Sequence, residues 1–289
     1  MKLYGVLLTV LCTIVSESYS EKILFLYSNA SPSHKNIAVP IIVGLAERGH
    51  NVTVVSSFKT EAHKNIRDIM PFKNFEYFPG VSALEQRRQG IRAMLMADYG
   101  PILGFCEKLH KHQEFLDLLH EQFDLILMDA FTNECALGFV HKMGVPFIYI
   151  APLPVPHHLT EYLGNRLPPS FVPNFLAHFS HRMSFTQRTL NTLITAIAPW
   201  GLRRPLQQHE AIYRKHLGQD LPGVDDILAN VSMILTNSHF SFNFPRPTMP
   251  DVVEIGAVHC RPGRPLPKVI NTSLNSFKSL SFLTSSGAI

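Results

Sequence analysis

The run Leu45 to Ser57, LAERGHNVTVVSS, decides the fold. Its first part closes a helical stretch in which Ile37, Ile41, Ile42 and Leu45 recur at helical spacing. Gly49 then stands where a helix C-terminus favours a residue free to take positive φ. Val52 to Ser56 is dense in β-branched residues and reads as a strand. Upstream, Lys22 to Ser28 (KILFLYS) is a short apolar run of the kind a buried parallel strand shows, and Asn29 to Ser33 is its loop. Strand, loop, helix, glycine, strand is a βαβ unit, and such units are right-handed. Pro40 fits this helix if regular structure begins just before it, because first-turn N–H groups have no intrahelical partners.

The pattern continues along the chain. Asn74 to Phe78 reads as a third strand, and Val81 to Gln122 turns helical through Leu84, Ile91, Leu95, Leu103 and Leu109. Phe123 to Met128 (FDLILM) is a buried strand, Asn133 to Lys142 a helix ended by Gly144, and Val145 to Ile150 (VPFIYI) the next strand. This alternation predicts an α/β fold, a Rossmann-like doubly wound parallel sheet with helices on both faces. Ala151 to Asn230 breaks the rhythm with a proline-rich loop and an apolar helix over Phe175 to Arg204. Val231 to Leu235 and Val252 to Ile255 then restore strands. Residues 258–289 change to Pro-Gly-Arg and then serine-rich composition, as an interdomain linker does.

Composition narrows the class. The 289 residues are 46% hydrophobic, ample for a core, and 26 Lys and Arg against 22 Asp and Glu give a net charge of +4. No Lys/Arg run marks a nucleic-acid face, so no nucleic-acid partner is expected. No HExxH or CxxC spacing exists, and no metal is expected. Residues 1–20 read as a secretory signal: Lys2, an apolar stretch from Leu3 to Val15, then Ser18-Tyr19-Ser20 as a small-x-small cleavage pattern. Its removal leaves Cys106, Cys135 and Cys260. That odd number offers no disulfide framework, and Cys106 and Cys135 sit in apolar helical contexts where buried thiols are the default. Of four N-x-S/T sequons, Asn29 and Asn51 border core strands, which argues against access. Asn230 and above all Asn271 are the glycosylation candidates.

Two loops carry the chemistry. Ser33-His34 follows the first strand, and Met128-Asp129-Ala130 ends a later one, so both belong to the carboxyl edge of a parallel sheet, where ligands bind. A neutral imidazole takes a proton near neutral pH, and a carboxylate behind it fixes the tautomer and stabilises the imidazolium. Placing His34 near a helix start favours the uncharged ring. Either residue alone has an ordinary alternative, since a histidine after a strand commonly caps or lies at the surface, and an aspartate ending one commonly caps the next helix. His50 reads as structural, and His157-His158 as a solvated loop pair.

The chain resembles the N-terminal half of a UDP-glycosyltransferase of the secretory pathway, closest to the insect type. The resemblance rests on Ser33-His34, LAERGHNVTVVSS, FDLILMDA (Phe123 to Ala130), MGVPFIYI (Met143 to Ile150), ILTNSHFSF (Ile234 to Phe242) and EIGAVHCRPGRPLPK (Glu254 to Lys268). It implies the N-terminal domain of a GT-B fold, with residues 21–257 as an acceptor-binding domain and 258–289 leading into a donor-binding domain. It further implies that His34 is the catalytic base and Asp129 its partner, in an inverting transfer of a hexosyl group to a small lipophilic acceptor. Ser33, Met94, Phe131 and Phe171 are the acceptor-binding candidates. No cofactor is implied. The UDP-sugar is a co-substrate held mainly by the C-terminal domain, so residues 21–289 alone are expected to have little activity. The implied location is the endoplasmic reticulum lumen, with membrane contact only through a C-terminal anchor outside this sequence and homo-oligomers possible. An alternative is a secreted, non-catalytic module that sequesters hydrophobic ligands or modulates full-length copies. An α/β-hydrolase is disfavoured because no GxSxG elbow occurs.

Overall fold

The computed structural model describes residues 20–72, 100–131, 133–177 and 179–261. One compact unit extends to His259. Of a second, Cys260–Ile289, only residues 260 and 261 are described. The expected strand at Asn74 to Phe78, the first part of the Val81 to Gln122 helical stretch, Met94, Asn271 and the signal segment lie outside the described residues.

Seven described strands form one parallel sheet in the order β3-β2-β1-β4-β5-β6-β7. They are β1 (Lys22–Tyr27), β2 (Asn51–Ser56), β3 (Ile66–Ile69), β4 (Leu125–Asp129), β5 (Phe147–Ala151), β6 (Met233–Thr236) and β7 (Val252–Glu254). The expected α/β class and doubly wound topology are those of the structure. Side chains alternate along β1. Ile23 and Phe25 enter one apolar cluster with Ile37 and Ile42 of helix α1 (Pro32–Glu47). Leu24 and Leu26 enter the opposite cluster with Cys106, Phe115, Phe139 and Tyr213. With both faces covered, the strands lack the polar alternation of a half-solvated sheet, which is why they read as continuous apolar runs.

The second cluster is roofed by α2 (Gly100–Leu109), α3 (Gln113–Asp117), α4 (Leu137–Met143), α6 (Phe185–Leu217) and α7 (Val224–Leu228), and a short α5 (His157–Glu161) follows β5. α4 and α6 pack so closely that a Cβ on Gly138 would stand 2.5 Å from the Tyr213 ring. Only glycine fits there.

Several expectations need correcting. The structure adds a strand the sequence reading did not name, Ile66–Ile69, which pairs with β2 with Val55 opposite Ile69. Pro40 lies well inside α1, because the helix begins at Pro32 behind the Ser31 cap. A proline there removes one intrahelical bond, which a helix packed on a sheet absorbs by bending. The long helix starts ten residues later than expected, at Phe185, where Ser184 and Gln187 form a reciprocal capping box. It then runs past Arg204 to Leu217 through Pro199 and Pro205. Of the two strand-bordering sequons, Asn29 is buried but Asn51 is exposed.

The cysteines require the largest revision. Cys106 and Cys135 form a disulfide, with Cα atoms 5.8 Å apart, while Cys260 is free and exposed. An odd count excluded a framework but not a single pair. The two apolar helical contexts that suggested separate thiols are parts of the same buried face. One turn after Cys106, the imidazole Nε2–H of buried His110 donates to the Cys135 carbonyl at 2.8 Å. The chain just beyond β4 is therefore tied to α2 twice. Closing a loop of 29 residues' separation is worth roughly 3–4 kcal/mol in the chain-entropy account. Urea denaturation of Cys106→Ser/Cys135→Ser, beside the oxidised wild type, should show a loss of that order, and the wild type with reductant should approach the double variant.

Candidate active site

The two strands at the centre of the switch in strand order are β1 and β4, paired in parallel with Leu26 opposite Met128. The chain leaves β1 toward β2 and later crosses to β4 on the other side, so a crevice opens between their carboxyl ends. His34 comes from the loop after β1. Ser31 caps α1 by accepting from the His34 amide at 3.4 Å, and Pro32 follows the cap with its φ already suited to a helix. The histidine thus stands in the first turn of α1. Asp129 is the last residue of β4, and its amide neighbour Ala130 donates to Ile150 on β5 at 3.0 Å, so the strand is anchored to its end.

His34 Nδ1 and Asp129 Oδ2 are 2.7 Å apart. An ionised carboxylate only accepts, so Nδ1–H donates and Nε2 is the nitrogen left for another partner. The aspartate side chain is wholly buried and the histidine's is 25% exposed, so the pair has one solvent-facing end, the imidazole. The Phe131 ring meets His34 edge-on, with centroids 6.0 Å apart.

Burial pushes the Asp129 carboxyl up to about 6, even though the His34 hydrogen bond and the Phe131 amide act to lower it and Glu134 adds to the rise. Its Oδ1 has no hydrogen-bond partner among the described residues. Raising an acid above its unfolded value of 3.8 means that the folded state loses stability as pH climbs from there through about 6. The magnitude is of the order of 3 kcal/mol. The stability of Asp129→Asn relative to wild type should therefore rise across that window and level off above it, measured by denaturation at a series of pH values.

Ser33 sits one residue before the histidine, exposed, its hydroxyl 2.8 Å from that of Ser31. Phe131 is the acceptor candidate that meets the pair. Phe171 is 42% exposed on the loop between α5 and α6 and is not in ring contact with His34. His50 is structural in the expected way: its Nδ1 accepts from the Glu21 amide at 3.2 Å, just before β1. The histidine doublet is not a solvated loop. His157 opens α5 and is 5% exposed, and burial with Arg246 nearby pushes its pKa down to about 4. His158 lines a cavity of about 500 Å³ with Tyr162, Trp200, Arg203 and Asp225. Neither His34 nor Asp129 lines that cavity, so it is separate from the imidazole–carboxylate pair.

The sequence reading placed Asn133 only at a helix start. Its side chain makes no helix cap. It is 1% exposed, and its Oδ1 accepts from the Ser28 hydroxyl at 2.9 Å and the Asn29 amide at 3.2 Å. Its position four residues past Asp129 is the one sequence signal that sets it near the pair.

The model of the UDP-glucoronosyl and UDP-glucosyl transferase family matches residues 22–279. This chain belongs to that family. UDP-glucosyltransferase 2 of Dactylopius coccus is 27% identical over 268 residues, which cover 90% of this chain and 52% of that protein. UDP-glucuronosyltransferase 2B19 of Macaca fascicularis is 27% identical over 261 residues, covering 82% and 49%. Among solved structures, CalG4, the calicheamicin glycosyltransferase, overlaps 86% of this chain and 55% of its own, at 15% identity and a TM-score of 0.41. The chain spans about half the length of the curated relatives it matches.

Proposed function

We propose that residues 21–257 form the acceptor-binding half of a GT-B UDP-glycosyltransferase, in which His34 is the catalytic base and Asp129 its partner. The observation that carries the reading is the 2.7 Å bond between the partly exposed imidazole and the wholly buried carboxylate. An acceptor hydroxyl placed at Nε2 gives up its proton to the ring as its oxygen attacks the anomeric carbon. The bond from that carbon to the UDP oxygen breaks as the new one forms, and UDP leaves with the electron pair. One displacement inverts the centre, turning an α-linked donor into a β-linked product. The positive charge gathering on the ring is balanced across Nδ1–H by Asp129, whose carboxylate is wholly buried.

Family membership supports a UDP-sugar as co-substrate. Supporting its capture mainly by a second half is the length of the relatives, about twice that of this chain. The base beside the Phe131 ring favours a small lipophilic alcohol or phenol as acceptor. A buried disulfide and the leader-like first 20 residues support an oxidising compartment, the lumen of the secretory pathway. Exposed Asn230 at the end of α7 is then open to a glycan. Among the described residues no helix is long and apolar enough to cross a membrane.

In a form extended to the relatives' length, His34→Ala should lose sugar transfer by roughly 10²- to 10⁴-fold while still binding acceptor in a fluorescence titration. Wild-type turnover would remove the base from this scheme. The 289-residue chain alone should release little UDP with phenolic acceptors. The acid limb of kcat/KM should carry a contribution from Asp129, whose carboxylate takes up a proton as pH drops through about 6. Asp129→Asn should lack that contribution while keeping the one that protonation of the base itself makes.

A further inference from the structure

We infer that Asn133 is a positioning residue that holds the two loops of the His34–Asp129 pair in register, an inference that rests on the base-and-partner reading above. The two loops belong to adjacent strands but are far apart in the chain, and the sheet ladder between them is described only to Leu26 opposite Met128. Beyond that point, something other than strand pairing has to fix the distance between an imidazole and a carboxylate to a fraction of an ångström.

Asn133 is placed to do so. Toward the β1 loop, its Oδ1 accepts two hydrogen bonds, from the Ser28 hydroxyl and the Asn29 amide, at the first two residues after β1. Toward its own loop, its Nδ2 donates to the Phe131 carbonyl at 3.1 Å. Phe131 is two residues past Asp129, and its ring meets His34. One primary amide therefore joins the start of the histidine loop to the residue that packs on the histidine.

The clamp is itself held from below. Cys135, two residues on, is fixed to α2 by its disulfide and by the His110 bond to its carbonyl. The amide is buried, so water does not replace its bonds without opening the structure. An asparagine suits the task because it offers an acceptor and a donor at the end of one short side chain. An aspartate would keep the two acceptances but lose the donor, and would add charge four residues from a carboxylate that burial already strains.

Asn133 touches neither acceptor nor donor in this scheme, so its removal should act on the chemical step. In the extended form, Asn133→Ala should lower kcat by roughly 10- to 100-fold, since a misplacement near 1 Å costs about that much. Acceptor KM should stay within about threefold. Asn133→Asp should fall between Ala and wild type. In an Asp129→Asn background the Ala substitution should cost little more, because the pair it positions is already broken. Tyr213→Phe, which loses a hydrogen bond to the Pro222 carbonyl in the corner between α6 and α7, serves as the control for lost stability and should leave kcat unchanged.

A readout independent of turnover uses the 289-residue chain. Imidazole ¹⁵N spectra should show His34 as a single Nδ1–H tautomer in wild type and as a mixture in Asn133→Ala. An unchanged tautomer together with unchanged kcat would overturn the positioning role. If His34→Ala kept full turnover while the tautomer still shifted in Asn133→Ala, the base assignment would fail and the clamp would stand.

Discussion

Burying the carboxylate of Asp129 is the constraint on which the site depends. An ionised oxygen pair at the end of a central strand loses its water. It is tolerated because one oxygen meets the His34 imidazole 2.7 Å away and the Phe131 amide adds its own stabilisation. The side-chain donor comes from another part of the chain, since β4 (LILMD) carries no side-chain donor of its own. The parallel sheet supplies it by placing the loop after β1 beside the end of β4. The residual strain shows in the carboxyl being pushed up to about 6 even with the histidine bonded. What costs stability also tunes the pair, because a dry carboxylate holds the imidazole's tautomer more firmly than a solvated one would.

The surrounding structure serves that geometry. Ser31 caps α1 and sets the histidine in its first turn. Lys35, one residue further and also buried, donates to the Ser56 hydroxyl at 2.7 Å and lies 3.7 Å from Asp68, so the start of α1 is fastened to the ends of β2 and β3. On the other side, the Cys106–Cys135 disulfide and His110 fasten the chain after β4 to α2. Asn133 lies between these two fixed bodies. A site built this way has its polar atoms on loops and its rigidity in the elements beneath them, as binding and catalytic residues on α/β sheets generally do.

Much of the fold was legible from local pattern. Six of the seven described strands fall where apolar runs predicted them, because central strands such as β1 and β4, buried on both faces, are apolar nearly throughout. The strand at Ile66–Ile69 was missed for the same reason in reverse: IRDI, the outermost of the described strands on its side, has two charged residues, so its pattern is that of a loop. Helix limits were less legible. Pro40 was expected near the start of its helix and the later helix was expected to end at Arg204, yet tertiary packing set Pro40 well inside α1 and carried α6 on through Pro205 to Leu217. His34 and Asp129 were visible as residue types at strand ends, and their sharing of one crevice followed from the alternation of strands and helices.

Sequence alone determined the class of fold and that His34 and Asp129 stand at the same edge of the sheet, because periodicity and the alternation of strands and helices are properties of consecutive residues. Only the tertiary structure decided which side chains meet. It joined Cys106 to Cys135, buried His157 and turned Asn133 from a helix start into a bridge between loops. Each of these depends on a neighbour many positions away in the chain, and a hydrogen bond or a disulfide is governed by distance in space, which local spacing does not encode.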